Sequence, residues 1–66
     1  MEITVNGEKV RCPDGCTLLE LLQARSLDPR VVVAERNRDI VPAETFGDVR
    51  LQEGDVLELL HFVGGG

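Results

Sequence analysis

The segment MEITVNGEKVRC, residues 1–12, carries the strongest indication of the fold, because two runs of alternating apolar and polar residues flank the pair Asn6-Gly7. Asn-Gly favours the two positive φ angles of a two-residue hairpin turn, and such a turn fixes the register of both strands. That register places on a core-facing side the pairs Val5 with Glu8, Ile3 with Val10 and Met1 with Cys12, and on a solvent-facing side the pairs Thr4 with Lys9 and Glu2 with Arg11. The sequence therefore predicts an amphipathic β-hairpin.

The segment after the hairpin predicts a single amphipathic helix. Pro13-Asp14-Gly15 ends the second strand, and Thr17 followed three residues later by Glu20 forms a capping box, a signature of a helix N-terminus. Leucines at positions 18, 19, 21 and 22 form an apolar stripe wide enough to cover one face of a sheet. The segment from residue 26 to Pro29 ends the helix, since the residue before a proline disfavours helical geometry.

The rest of the chain predicts short strands separated by turns. The β-branched run at residues 31–33 predicts a strand, and Asn37 is suited to the positive φ of a turn before a short strand at residues 40–41, which Pro42 ends. The remaining predicted elements are a turn or single helical turn at residues 43–47, a short strand at 49–51, a tight turn at 53–55 and a last strand at 56–63.

The order of these elements indicates an α+β fold in one domain spanning residues 1–66. The helix must cross from the second strand to the third and cover one face of a mixed sheet of about four to five strands. This is the outline of the β-grasp, ubiquitin-like fold, although periodicity alone leaves other small α+β folds open. A chain of 66 residues has room for one small core.

Charge and composition argue against several classes of protein. Twelve acidic and seven basic side chains give a formal net charge of −5, which disfavours a nucleic-acid partner, because phosphate binding needs a positive surface. No apolar run approaches the roughly 18 residues of a membrane span, and residues 1–12 do not resemble a secretion signal. Two cysteines are too few for a disulfide scaffold, so we expect a cytoplasmic protein with free thiols and no membrane partner.

Few side chains are candidates for catalysis or metal binding. Cys12 and Cys16 could form a metal or redox pair, but two thiols lack the four ligands of a structural zinc site, and packing is favoured. His61 has no acid or nucleophile linked to it by a motif, so a packing or edge role is favoured over a catalytic base. The acidic side chains of the predicted turns, Asp55 among them, are expected to be solvated. We predict no catalytic residue and no bound metal or cofactor.

The last predicted strand has one buried face and one face with an open role. Leucines at positions 57 and 59 alternate with Glu58, which marks the solvent side. Leu60 and Phe62 share that side with Glu58, away from the helix. Uncovered apolar side chains on a small sheet often mark a binding surface, but loop residues such as Phe46 could equally cover them.

Residues 63–66, Val63-Gly64-Gly65-Gly66, predict a flexible C-terminal tail after that strand. Because glycine lacks a Cβ, three successive glycines can pass through a narrow tunnel and deliver a carboxylate at Gly66 to a distant active site. The alternative is a frayed end without function. The first interpretation is favoured because an apolar strand runs directly into the glycines.

Several short motifs carry a resemblance to a known family. NRDIVP at residues 37–42, EGDVLEL at 53–59 and HFVGGG at 61–66 resemble the thiamin-biosynthesis sulfur carrier family (ThiS), and NGE at 6–8 and PDG at 13–15 resemble its N-terminal half. The resemblance implies a β-grasp protein that is not itself an enzyme. It also implies that the Gly66 carboxylate is adenylated and converted to a thiocarboxylate, which donates sulfur for thiazole formation.

The resemblance further implies partners for the chain. They are an E1-like adenylyltransferase, which uses ATP, then thiazole synthase, and a sulfur-donor protein such as a cysteine desulfurase. The free carrier is expected to be a monomer. Gly66 is the expected modified residue, and the residues expected to contact the partners are Leu60, Phe62, Val63, Gly64 and Gly65.

The sequence also allows two other functional classes, and it departs from the family pattern at two positions. The chain could be a molybdopterin-synthase small subunit or a ubiquitin-like modifier, or it could be an interaction domain with an inert tail. Arg38 stands where the family commonly has Gly after Asn37, and Ala43 stands where a basic residue commonly follows the proline. These departures concern a turn and partner contacts rather than the tail.

Overall fold

The computed structural model describes residues 1–62, and it opens with the predicted hairpin. Strands β1 (Glu2–Val5) and β2 (Glu8–Arg11) pair antiparallel with Ile3 opposite Val10 and Val5 opposite Glu8, so the predicted register is confirmed. Asn6 and Gly7 have φ angles of +49° and +83°, as a two-residue turn of this type requires.

Helix α1 spans Leu18–Ala24 and starts at the predicted capping box. The Thr17 hydroxyl accepts a hydrogen bond from the Glu20 amide at 3.1 Å, and the Glu20 carboxylate accepts one from the Thr17 amide at 2.9 Å. The helix ends before Ser26, whose φ of +59° is incompatible with a further turn. The helix side chains that are buried are Leu18, Leu21 and Leu22.

Five strands form one mixed sheet that α1 covers on one face. The remaining strands are β3 (Val32–Arg36), β4 (Asp39–Val41) and β5 (Val56–His61), and the order across the sheet is β2-β1-β5-β3-β4. Strand β5 runs parallel to β1, while the other three pairings are antiparallel. The predicted α+β architecture with one helix on a mixed sheet is confirmed.

The strand predicted at residues 31–33 begins one residue later than predicted. Pro29–Val31 forms a turn of 3₁₀ helix, because the Asp28 carboxylate accepts a hydrogen bond from the Arg30 amide at 2.9 Å and the Asp28 carbonyl accepts one from the Val31 amide at 3.1 Å. Strand β3 continues to Arg36, where Asn37 and Arg38 make a two-residue turn into β4.

The prediction of a strand at residues 49–51 is wrong. The segment forms a single bridge between Arg50 and Thr17 rather than a strand of the sheet. The two backbone hydrogen bonds of this bridge run from the Leu18 amide to the Val49 carbonyl and from the Leu51 amide to the Cys16 carbonyl, each at 2.9 Å. The segment therefore hydrogen bonds to the start of α1 and is not a strand of the sheet.

The last strand is shorter than the predicted 56–63, since β5 ends at His61. Phe62 still donates its amide hydrogen to the Val31 carbonyl at 2.8 Å. Val63 lies outside the described residues.

The predicted helical turn after Pro42 is a 3₁₀ turn at Ala43–Thr45. None of the helices within residues 1–62 has the length and apolarity to cross a membrane.

One core lies between α1 and the sheet. Buried strand residues such as Ile3 and Leu57 meet the helix leucines there, and Phe46 packs in the same cluster with 2% of its surface exposed. The buried apolar residues are Ile3, Val5, Cys16, Leu18, Leu21, Leu22, Val32, Ala34, Phe46, Leu51, Leu57 and Leu59. The helix-covered face of the sheet is therefore filled, and its other face carries no described element.

Candidate functional site

The sheet face opposite α1, called the outer face below, carries an apolar patch. Every large apolar side chain with high exposure in the described part of the chain belongs to β3, β4 or β5 or to the residue after β5. They are Val33, Ile40, Val56, Leu60 and Phe62. Exposed apolar side chains grouped on one face of a small domain are typical of an interaction surface.

Leu60 and Phe62 are exposed on this face, with 57% and 56% of their surface accessible. The alternative that Phe46 covers them is wrong, because Phe46 is buried in the core beneath α1. Leu60 lies directly opposite Val33 across the β3-β5 ladder, so the two side chains form one apolar surface. A contact between this surface and a partner stays a prediction.

Val33, Ile40 and Val56 were missed as members of the patch by reasoning from the sequence. Val56 and Val33 each lie two residues from a glutamate of the same strand, and that period of two was the available signal. Ile40 could be placed only through its pairing with Glu35 across the β3-β4 turn. The candidate tail residues Val63, Gly64, Gly65 and Gly66 lie outside the described residues.

Strand β5 is held on both sides as it approaches the tail. Arg36 to Val32 of β3 pair with Leu57 to His61, and on the other side Val5 pairs with Leu57. The Asn6 side chain extends this second ladder, since its Oδ1 accepts from the Leu59 amide at 2.7 Å and its Nδ2 donates to the Leu59 carbonyl at 3.1 Å. The residues that precede the tail therefore have a fixed position in the sheet.

Asp55, which was expected to be solvated, is buried with 6% of its surface exposed, so that expectation is wrong. Its carboxylate accepts hydrogen bonds from Arg36 Nε at 2.9 Å, from the Gln52 amide at 2.8 Å and from Asn37 Nδ2 at 3.1 Å. Burial acts to raise the pKa of Asp55, but these hydrogen bonds and the Arg36 charge outweigh it and lower the pKa. Asp55 is therefore ionised at neutral pH.

Asn37 links the same cluster to the start of β5. The backbone amide of Asn37 donates to the Val56 carbonyl at 2.7 Å, and its side-chain Oδ1 accepts from the Val56 backbone amide at 2.9 Å. Both Asn37 and Arg38 have positive φ, +51° and +75°. The turn thus forms without the glycine that the family commonly has at position 38. Ala43 opens the exposed 3₁₀ turn that follows β4.

The two cysteines pack as predicted. Cys16 belongs to the core and Cys12 packs against it, and both are free thiols. Burial raises the pKa of Cys16, with further contributions from the neighbouring Cys12 and Glu20. A raised pKa disfavours the reactive thiolate. His61 is exposed on β5 opposite Val32.

A five-stranded mixed sheet of this order over one helix defines a ubiquitin-like β-grasp protein, and the outer face beside the end of its central strand is its candidate interaction site. The crystal structure of the thiamine biosynthesis protein ThiS from Geobacter metallireducens superposes with a TM-score of 0.84 at 32% identity, and the match covers 100% of both chains. The sequence model of the ThiS family matches residues 1–66. The chain belongs to the ThiS family.

Two curated relatives extend this comparison. The chain is 38% identical over 65 residues to the sulfur carrier protein ThiS of Bacillus subtilis, and the match covers 97% of this chain and 98% of the relative. It is 44% identical over 66 residues to a thiazole synthase of Magnetococcus marinus, which covers 100% of this chain. The chain spans only 20% of the length of that thiazole synthase.

Proposed function

We propose that this protein is a sulfur carrier of thiamin biosynthesis and that Gly66 is the residue that carries the sulfur. The observation that supports this most strongly is the match to sulfur carrier ThiS of Bacillus subtilis over nearly the full length of both chains. The agreement in fold with the ThiS structure of Geobacter metallireducens supports it independently. The names of these relatives favour thiamin biosynthesis over molybdopterin synthesis or protein modification.

The proposed chemistry takes place on the Gly66 carboxylate in two steps, adenylation and sulfur transfer. The carboxylate attacks the α-phosphate of ATP, which releases pyrophosphate and leaves an acyl adenylate. The persulfide of a sulfur-donor protein, such as a cysteine desulfurase, then attacks the acyl carbon and displaces AMP to form an acyl disulfide. A second thiol attacks the disulfide, which forms a new disulfide on the donor and releases the thiocarboxylate. Adenylation is needed because a carboxylate oxygen is a poor leaving group until phosphate carries its charge.

Both steps require enzymes that hold the carrier, since the described residues offer packed or solvated side chains rather than a catalytic cluster. An E1-like adenylyltransferase supplies the ATP site. The outer face, with Leu60 and Phe62 close to the tail, is the proposed contact surface for such an enzyme. Val63, Gly64 and Gly65 would reach from that surface into the active site.

Thiazole synthase is the proposed acceptor of the sulfur. The thiazole synthase of Magnetococcus marinus contains a segment that resembles this whole chain. Placing a carrier and its acceptor in one polypeptide raises their effective concentration, which is useful when the two must meet in every cycle. For this chain, the thiocarboxylate is proposed to be delivered to such an enzyme.

Intact-mass spectrometry tests this proposal. The full chain is incubated with a ThiS adenylyltransferase, ATP and sulfide, and one oxygen should be replaced by sulfur at Gly66. A chain lacking Gly65 and Gly66 is the matched control and should stay unmodified. An unchanged mass of the full chain, with an enzyme that modifies Bacillus subtilis ThiS in parallel, would overturn the proposal and favour an interaction domain with an inert tail.

A further inference from the structure

Two glutamates face each other on the outer face. Glu35 of β3 lies directly opposite Glu58 of β5 in the antiparallel ladder. Glu58 is exposed and Glu35 is half-buried. Side chains at directly opposed positions have Cβ atoms about 5 Å apart, and like charges on such a pair are destabilising. The free protein therefore holds an unfavourable charge pair at the centre of its sheet.

Neither carboxylate is neutralised within residues 1–62. The ion pairs of that part of the chain join the Met1 amine to Asp14, Arg30 to Asp28 and Arg36 to Asp55. Arg36 follows Glu35 in the sequence, but successive strand residues point to opposite faces, and Arg36 contacts Asp55 at 2.9 Å instead. The two carboxylates of the pair therefore lie on the outer face without an ion-pair partner among residues 1–62.

The glutamate pair is set among the apolar side chains of the patch. Val33 and Leu60 form the next pair on the same face, and Ile40 of β4 lies opposite Glu35. A partner that covers the apolar side chains must also remove water from the two carboxylates. An entirely apolar partner would leave two unpaired charges buried, which is strongly unfavourable. A second copy of the chain, docked patch to patch, would bring four carboxylates together.

We propose that the outer face docks a partner protein that inserts an arginine side chain between Glu35 and Glu58 while apolar side chains of the partner cover Val33, Ile40 and Leu60. A guanidinium presents five N–H donors in a plane and can donate hydrogen bonds to both carboxylates at once. The charge of the face is complementary to such a side chain. This inference rests on the proposed function. The partner to which it applies is thiazole synthase, because a thiazole synthase of Magnetococcus marinus contains a segment similar to this whole chain and must accommodate its sheet face.

The test compares the wild-type chain with Glu58→Gln and Glu35→Gln, which keep side-chain size and remove one charge each. Affinity for the thiazole synthase of the same organism is measured by calorimetry at low and high salt. Each variant should bind about tenfold more weakly than wild type, with a smaller dependence on salt. The free variants should melt at the same temperature as wild type or higher, because the opposed charges are relieved.

Glu8→Gln is the matched control, since Glu8 is an exposed strand glutamate of β2 and the variant has the same net charge. It should bind like wild type. Equal affinity of wild type and the Glu35 and Glu58 variants, or an equal loss in the Glu8 variant, would overturn the arginine contact while leaving the proposed function intact. A wild-type chain that becomes thiocarboxylated but does not bind thiazole synthase would contradict the partner and this inference together.

Discussion

The side-chain amide of Asn6 forms two hydrogen bonds with the backbone of Leu59, in the place where a strand residue would offer its backbone carbonyl. Oδ1 accepts from the Leu59 amide at 2.7 Å and Nδ2 donates to the Leu59 carbonyl at 3.1 Å. The backbone amide of Asn6 still donates to the Leu57 carbonyl at 2.9 Å, and its φ of +49° then turns the chain toward β2. One residue therefore makes the hairpin turn and extends the parallel ladder between β1 and β5.

Replacing Asn6 separates these two roles. Asn6→Gly keeps a residue that accepts positive φ but removes the amide, so we expect a loss of about 1–2 kcal/mol in the free energy of unfolding. Asn6→Ala loses the amide and adds left-handed strain, so the loss should be larger by about 1 kcal/mol. Urea denaturation of both variants provides the measurement. Equal stability of Asn6→Gly and wild type would show that the amide contributes nothing.

The buried carboxylate of Asp55 makes stability depend on acid pH. Its folded pKa is lowered below the ordinary value of 3.8, so its contribution is fully present above that value and is lost as pH falls through the folded pKa. Asp55→Asn should destabilise the protein by about 1–3 kcal/mol at pH 7, because Arg36 and the Gln52 amide lose a charged acceptor. The gap to wild type should narrow below about pH 4.

Thermal unfolding of both proteins between neutral and acid pH tests this expectation. Asp28 also has a lowered pKa, to about 2, chiefly because Arg30 hydrogen bonds to it. Asp28→Asn is therefore the control for the pH dependence of stability that a carboxylate at the surface contributes. A difference between wild type and Asp55→Asn that is independent of pH would show that the charge of Asp55 does not matter.

The two faces of β5 should respond differently to truncation. Leu59 is buried, with 6% of its surface exposed, and Leu59→Ala should cost about 2–5 kcal/mol of stability through lost burial and a cavity. Phe62 is exposed, and Phe62→Ala should change stability little but weaken a partner complex by about 1–3 kcal/mol. Melting and partner affinity are measured for both variants. Unfolding by Phe62→Ala with normal binding by folded Leu59→Ala would reverse the assignment of the faces.

The β3-β4 turn offers a pair of substitutions with opposite expected signs. Arg38 has a φ of +75° and takes part in no ion pair among residues 1–62, so Arg38→Gly should stabilise the protein by about 1 kcal/mol. Asn37→Gly removes the hydrogen bonds to Asp55 and Val56 and should destabilise it by about 1–3 kcal/mol. Chemical denaturation gives both values, and a destabilising Arg38→Gly would contradict the strain argument.

The hairpin and the helix start were predictable from the sequence because short-range chemistry determines them. Asn6-Gly7 admits one tight turn and hence one register, and Thr17 with Glu20 admits one helix start. Residues 49–51 were misassigned because the short alternating segment Val49-Arg50-Leu51 carries no information about its partner. Its hydrogen bonds go to Cys16 and Leu18 beside the helix rather than to the sheet.

The outer face was only partly predictable, because its members come from strands that are distant in sequence. The period of two along β5 placed Leu60 and Phe62 correctly on the exposed side. The opposition of Glu35 and Glu58 required the β3-β5 register, which no local turn determines. Asp55 was expected in solvent because turns usually expose their acidic side chains. In the structure, Arg36 at the end of β3 and Asn37 in the following turn donate hydrogen bonds to its carboxylate.

The central position of β5 has a consequence for how the chain is synthesised. Strands β1 and β3 can complete their hydrogen bonding only when residues 56–61 lie between them, so the sheet cannot close until this late segment has left the ribosome. Nascent chains that stop before β5 lack the middle of the sheet and should remain substrates for proteases. The strand order therefore separates complete chains from truncated ones, because only a chain translated through β5 can form the sheet and escape proteolysis.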